Sequence, residues 1–326
     1  MIFVLTERRS TKIGAALLIF AILLRFFAGS GIPALPEADP VRPESIQKLP
    51  LSPTAATQIT TGPTVPSQPV VPQIPMFTKE DLTLTPLRYS CDYRPDVEQL
   101  LLQALQWDLD DGAPAVLIVH THGSESYTKT ADQDYQETAK YRTLDENYNM
   151  VAVGDLLARL LEEAGIRVIH DRQLHDYPSY NSSYSNSRKS VKAYLKEYPS
   201  IRLVLDIHRD AAELSDGSQF ATHAMVDGKD SAQIMFLVGT NQSGNYHPDW
   251  QDNLAVAAKL NVLMEQYASG ITRKSTLRAQ RFNQDLAPIA LLVEVGSAGN
   301  TLEEALRAIP ALAEAIIALK DGANWQ

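Results

Sequence analysis

A single cysteine, Cys91, stands in a chain of 326 residues. That scarcity excludes an internal disulfide and any Cys-x-x-Cys zinc site, so a metal here must rest on histidine and carboxylate. Basic clusters are equally short. The formal net charge is −10 and no Lys/Arg block follows the N-terminus, which argues against nucleic acid as a partner. No internal repeat is evident. Residues 30–86 also lack any periodic apolar pattern, and they hold twelve of the nineteen prolines. Such a stretch cannot bury enough apolar surface to repay chain ordering, and it reads as a disordered tether. As a coil it would span on the order of 40 Å, enough to hold a domain off a membrane surface.

What precedes the tether sets the address. Arg8, Arg9 and Lys12 lead into Ile13 to Leu24, twelve residues without a charge, and Arg25, Phe26 and Phe27 extend the segment. A cleaved signal peptide and a retained membrane anchor over residues 1–29 both fit, with the anchor preferred because Arg25 can snorkel and the phenylalanines can lie at the interface. Either way the flanking positives keep the N-terminus in the cytoplasm. The expectation is a cell-membrane protein with a single pass and its catalytic domain, 87–326, outside the cytoplasm.

From about Leu87 the composition becomes globular. Val97 to Trp107 reads as a short helix. Val116 to Val119, four apolar residues, are too few for a helix and read as a buried strand. Asn149 to Ala164 has apolar residues at helical spacing and closes at Gly165. Ile166 to His170 is a second strand, Ser187 to Glu197 a helix, and Arg202 to His208 a third strand. Residues 221–226 and 233–238 flank Asp227-Gly228 as a hairpin. Asn253 to Tyr267 is a helix and Pro288 to Glu294 a last strand. Thr301 to Leu319 is the final helix, with Thr301 and Glu304 as a capping box and Pro310 expected to bend or break it. Strands alternating with helices predict one α/β domain, a mixed and mostly parallel sheet flanked by helices, with the hairpin supplying an antiparallel strand.

Three of those strands end on groups suited to zinc: the loop carrying His120, His122 and Glu125, then His208, then Glu294. In a parallel sheet such ends share one edge. His122, Glu125 and His208 offer two nitrogens and an oxygen, leaving a fourth position for water as in His₂Glu zinc hydrolases. Glu294 would be the carboxylate that takes the water's proton and passes it to the leaving amine. A lone strand-end histidine is more often a plain edge residue; agreement of three strand ends outweighs that. His223 and His247 read as surface or structural residues, while His170-Asp171 and His175-Asp176 are the next candidates for a site, with a plain surface pair as the other reading of each.

His120-Thr-His-Gly-Ser-Glu-Ser-Tyr127, His170-Asp-Arg, His175-Asp-Tyr-Pro-Ser-Tyr180, Asp206-Ile-His-Arg-Asp210 and Val293-Glu-Val-Gly-Ser-Ala-Gly-Asn-Thr-Leu-Glu-Glu304 together resemble the stage II sporulation protein P family. The order also looks like that of the zinc N-acetylmuramoyl-L-alanine amidases, where a strand-end His, a Glu and a later strand-end His hold the metal. There a Glu in a Val-Glu-x-Gly segment is catalytic. The resemblance carries onto His208 and Glu294, and it leaves Glu146 open beside Glu125 and His120 open beside His122. It implies a zinc amidase acting on peptidoglycan during forespore engulfment, a cross-link endopeptidase activity, and stage II sporulation proteins D and M as partners. Two other readings stay open. One is a zinc carboxypeptidase, with Arg209 or Arg188 as carboxylate clamp. The other is a non-catalytic anchored wall-binding module.

Overall fold

A computed structural model describes residues 77–103, 109 and 112–321. The expected anchor and most of the expected tether lie outside the described residues. Among the described residues, no helix is long and apolar enough to cross a membrane.

The strands are β1 (Leu87–Ser90), β2 (Val116–Val119), β3 (Glu137–Ala139), β4 (Arg142–Thr143), β5 (Val168–His170), β6 (Leu203–Asp210), β7 (Ala224–Val226), β8 (Lys229–Ser231), β9 (Ile234–Gly239), β10 (Ser275–Arg278) and β11 (Ile289–Ser297). Seven of them form one sheet in the order β1-β10-β9-β11-β6-β2-β5. Every neighbouring pair is parallel except β9 and β11. The sheet is therefore two parallel blocks of opposite sense that meet at β11. The fold is mixed α/β with a mostly parallel sheet, as expected.

One face of the sheet carries the main core. Val116, Ile118, Leu203, Leu205, Ile207, Leu291, Val293, Phe236 and Val238 point into it, packed under the helices Met150–Glu163, Trp250–Tyr267 and Leu302–Asp321. These helices form where apolar spacing meets good ends. Asn149 caps the first by accepting from the Val151 N–H at 2.9 Å, and Gly165 leaves it at φ +84°. Thr301 and Glu304 make the expected capping box: each side chain accepts from the other's backbone N–H. The opposite face is covered unevenly. Leu117, Val119, Val204 and Ala290 pack with Val191 of the helix Ser183–Glu197, so among the described residues it is the β2, β6 and β11 side that is roofed.

Several elements differ from expectation. Asp227 and Gly228, at φ +49° and +72°, close a tight two-residue turn, but the hairpin they join is β7 with β8, a separate small sheet. The antiparallel contact in the main sheet comes from β9 instead, and β10 and β1 follow its direction. Neither β1 nor β10 was legible, since Leu87–Ser90 and Ser275–Arg278 are short and carry arginine on one face. The helix expected from Ser187 begins at Ser183, and that expected from Asn253 begins at Trp250. The first helix is Val97–Leu102, with residues 104–108 outside those described. Pro310 does not break the last helix, which runs from Leu302 to Asp321 with Ala308, Ile309, Ala311 and Leu312 fully buried. Burial of that face outweighs one lost N–H donor. Order also starts before residue 87. Glu80–Leu84 is a 3₁₀ helix, and Phe77, Leu82 and Leu84 pack on Leu101, Ala258 and Val262.

Candidate active site

The parallel block brings three sequence-distant strand ends to one edge. Within it, β6 is paired with both β2 and β11. Glu294 stands in register with His208 across β11 and β6, so both project on the partly roofed face. Immediately after Glu294 the register slips, and Gly296 takes φ +66°. A side chain there would be strained by the left-handed backbone and would also meet Ala232 Cβ at 2.9 Å. The bulge shifts the pairing, which resumes at Ser297 opposite Asp210, and leaves Glu294 at the last regular position of the ladder.

His122 and Glu125 arrive on the turn that follows β2. Glu125 N–H donates to the His122 carbonyl at 3.1 Å, so the turn holds both side chains on one side. Glu125 Oε2 lies 3.6 Å from His208 Nδ1, and the His122 and His208 rings meet edge-on with centroids 5.2 Å apart. All three side chains are buried. Glu294 sits beside them with Oε2 buried and without a hydrogen-bond partner, and His122 Nδ1 is likewise buried and unpartnered.

The surrounding charges hold this cluster in place. Arg209 fixes Glu125 from beneath, its guanidinium 3.5 Å from Oε1 and also donating to the carbonyls of Ser126 and Tyr141. Arg142 pairs with Glu125 at 3.2 Å and with the buried Asp176 at 2.7 Å. Asp206 lies 2.9 Å from His208 Nε2 and accepts from the Thr121 backbone and hydroxyl. Tyr180 stacks on His122 with centroids 4.5 Å apart, and Arg142 lies over the other face of that phenol ring, 4.7 Å from its centroid. The supporting roles of Asp206, Asp176 and Tyr180 had no sequence signal beyond their place in quoted motifs, and Arg142 had none at all, because each depends on a contact between distant segments.

Protonation follows from these surroundings. Burial lowers His122 to about 4, so its ring is neutral with a free lone pair. Burial also pulls His208 down, but the carboxylates of Asp206 and Glu125 overcome it and hold its pKa well above the ordinary value. For Glu125, burial pushes upward while Arg209 and His208 bring the carboxyl down to about 2. Burial dominates at Glu294 and raises it to about 7, helped by Glu125 and Asp210. Two carboxylates in one site are thus split, one held ionised and one poised near neutrality.

The alternatives from sequence sit elsewhere. His120 points to the opposite face of the sheet. There its Nδ1 donates to the Ile207 carbonyl at 3.0 Å, and its Nε2 meets His170 Nε2 at 2.8 Å. Gly154 makes room for that pair, since a Cβ would come within 2.6 Å of His120 and 2.5 Å of His170. Glu146 pairs with Arg172, which also holds Asp155 beside His170. Neither expected carboxylate clamp is free. Arg209 is committed to Glu125, and Arg188 makes a bidentate pair with Asp285. His175 is not a surface residue but is buried against Asp171, 3.0 Å away.

The donor set suits zinc. Two ligands about 2.1 Å from a tetrahedral zinc lie about 3.4 Å apart, close to the separation of Glu125 and His208. The unpartnered His122 Nδ1 is a third donor. Asp206 on the far nitrogen of His208 is the kind of carboxylate partner that metal-bound histidines keep. Among the described residues, no three such side chains are already closed on one point. Glu125 is turned toward its two arginines, and His122 is covered by Tyr180.

The chain matches the family described as Stage II sporulation protein P (SpoIIP) over residues 63–317. It is 32% identical over 210 residues to the stage II sporulation protein P of Bacillus subtilis (strain 168), an overlap covering 61% of this chain and 49% of that protein. The chain thus spans about half the length of the curated relative it matches. Among solved structures it is similar to the N-acetylmuramoyl-L-alanine amidase AmiC2 of Nostoc punctiforme, at 13% identity and TM-score 0.35, over 62% of this chain and 94% of that one. A second is apo Ami1 of Mycobacterium abscessus, at 14% identity and TM-score 0.39, over 63% and 98%. A third is the N-acetylmuramoyl-L-alanine amidase of Clostridium difficile 630, at 15% identity and TM-score 0.38, over 65% and 98%.

Proposed function

This chain belongs to the stage II sporulation protein P family, and on that footing we propose that it is a zinc-dependent peptidoglycan hydrolase. In this reading it cuts the amide between the lactyl group of muramic acid and L-alanine, as an N-acetylmuramoyl-L-alanine amidase serving sporulation. One observation carries it: His122, Glu125 and His208 lie together beside Glu294, a partly buried residue whose Oε2 is buried and unpartnered, at the end of a half-open sheet face.

His122, Glu125 and His208 would hold the zinc. When bound, the ion supplies a Lewis acid for the amide carbonyl and makes water acidic enough to attack near neutrality. Glu294 does the proton work. It accepts a proton from the attacking water and delivers it to the L-alanine nitrogen as the C–N bond breaks, leaving a lactyl carboxylate and a free amine. Arg209 and Arg142 keep Glu125 ionised and oriented, and Asp206 turns the His208 ring. The carboxypeptidase alternative is weakened because Arg209 and Arg188 are both engaged. Retention in the cell membrane by residues 1–29, an extracytoplasmic domain, cross-link endopeptidase activity, and stage II sporulation proteins D and M as partners belong to the same proposal.

Mass spectrometry of digested peptidoglycan tests it. Wild-type protein should release stems with a free L-alanine amine, and Glu294→Gln should not. Free C-terminal amino acids among the products would favour the carboxypeptidase. Undigested wall from zinc-loaded wild type would sink both.

A further inference from the structure

The roof over the site stops at β11. Beyond it, among the described residues, no helix covers the same sheet face across β9, β10 and β1, which forms a groove of about 560 Å³ that reaches Glu294. Next to Glu294 its lining is uncharged: Met235 and Leu237 from β9, then Thr276 from β10. Leu237, Thr276 and Arg88 fall in one row across the three strands, and Arg278 lies one pleat further on the same face. Lys274 stands at the mouth.

The charges along this groove are not balanced locally. Arg273 is paired with Asp210 at 2.9 Å, which accounts for the acidic residue that lines the groove beside Glu294. Arg88, Arg278 and Lys274 make no side-chain hydrogen bond or ion pair with any described residue. Arginine on an exposed sheet face finds a carboxylate partner or covers apolar surface with its stem. Here two lie beyond a small uncharged floor that leads from the reacting carboxyl.

We infer that this groove is a binding site for the carboxylates of the stem peptide, with Arg88 and Arg278 as their partners and Lys274 as a third positive charge. The inference rests on the hydrolase reading for the identity of the peptide. The spacing fits. Strands lie about 4.8 Å apart, so Arg278 and Arg88 are roughly 10 and 14 Å across the sheet from β11. An extended peptide rises about 3.4 Å per residue, so with its first residue at Glu294 its fourth lies about 10 Å away, level with the strand of Arg278 and one strand spacing short of Arg88, a gap that a guanidinium on its long stem can bridge. A stem peptide joined through the side chain of glutamate leaves that residue's own carboxylate free, and its last residue carries another. The guanidinium fork matches such groups. The amidase would then hold its substrate from the peptide side, with the scissile amide placed at the roof's edge.

The test uses the full chain and two probes, the tetrapeptide L-Ala-γ-D-Glu-L-Lys-D-Ala and the same peptide with every carboxylate amidated. Titration calorimetry should give at least about tenfold tighter binding of the acidic form, the size of one charge-assisted hydrogen bond. That margin should shrink with added salt. Arg88→Gln and Arg278→Gln should each reduce it, and the double variant should abolish it without changing affinity for the amidated peptide. Circular dichroism and the melting midpoint check the fold. If the double variant unfolds, Arg88→Glu at its exposed position decides by itself, and acidic-peptide affinity unchanged in that variant overturns the site. Equal binding of both probes by wild type, or a double variant that still discriminates, also overturns it. Peptidoglycan digestion is followed in parallel. Hydrolysis without discrimination removes the groove and leaves the amidase. Arginine-dependent binding without hydrolysis leaves the groove as a carboxylate site and removes the amidase.

Discussion

Glu294 and His208 face the same way from neighbouring parallel strands, in register, at the line where the cover on that sheet face ends. One has its pKa raised and the other has two carboxylates pressing on it. In the proposed reaction Glu294 is the proton carrier and His208 a ligand. Glu294→Gln should keep the fold and the zinc and lose roughly 10²–10⁴ in turnover. Zinc loss measured by atomic absorption would make Glu294 a ligand instead.

Zinc content per purified chain sorts the histidines and glutamates. His208→Ala, His122→Ala and Glu125→Ala should each abolish retention, since two remaining donors bind weakly. His120→Ala should hold zinc, because its ring is tied to the other face by Ile207 and His170. Loss from Glu146→Ala with retention in Glu125→Ala would reverse the choice of carboxylate.

Gly154→Ala should lower stability although alanine is the better helix former. The new Cβ would collide with two buried imidazoles, so a cost of about 1–3 kcal/mol in a urea melt is expected. A variant as stable as wild type would mean that the histidine pair is free to move aside.

Lys259 is buried in the Trp250–Tyr267 helix and donates to the carbonyls of Leu100 and Leu101. Burial lowers its pKa from 10.5 to about 8. The unfolded chain therefore binds more protons between those values, and the charge penalty is full below about pH 8 and fades toward 10.5. Wild type should gain stability relative to Lys259→Met as pH rises through that window. Denaturation midpoints that keep a constant difference at pH 7 and 9.5 would contradict this.

Truncation should be sensitive to where it falls. A fragment starting at residue 87 loses Phe77, Leu82 and Leu84 from their seat on Leu101, Ala258 and Val262. It should be less stable than one starting at 77 by about 2–5 kcal/mol, from three partly buried apolar side chains. Equal melting midpoints would make the segment dispensable.

Residue order by itself determined the fold class and the chemistry on offer. Apolar runs that stop on His122, Glu125, His208 and Glu294 are local patterns, and a parallel sheet must gather such ends at one edge. The capping box at Thr301 and the stop at Gly165 were legible for the same reason, since each is decided within four residues. Tertiary structure alone decided which face each histidine takes. His120 and His122 are two apart, yet only the contacts to Ile207, His170 and Gly154 send the first to the core side. It also decided that β9, β10 and β1 run against β11, and that no helix among the described residues covers their outer face. Short strands with arginine on one side have no signal of their own. Their place comes from pairing with residues up to two hundred positions away, which no local pattern encodes.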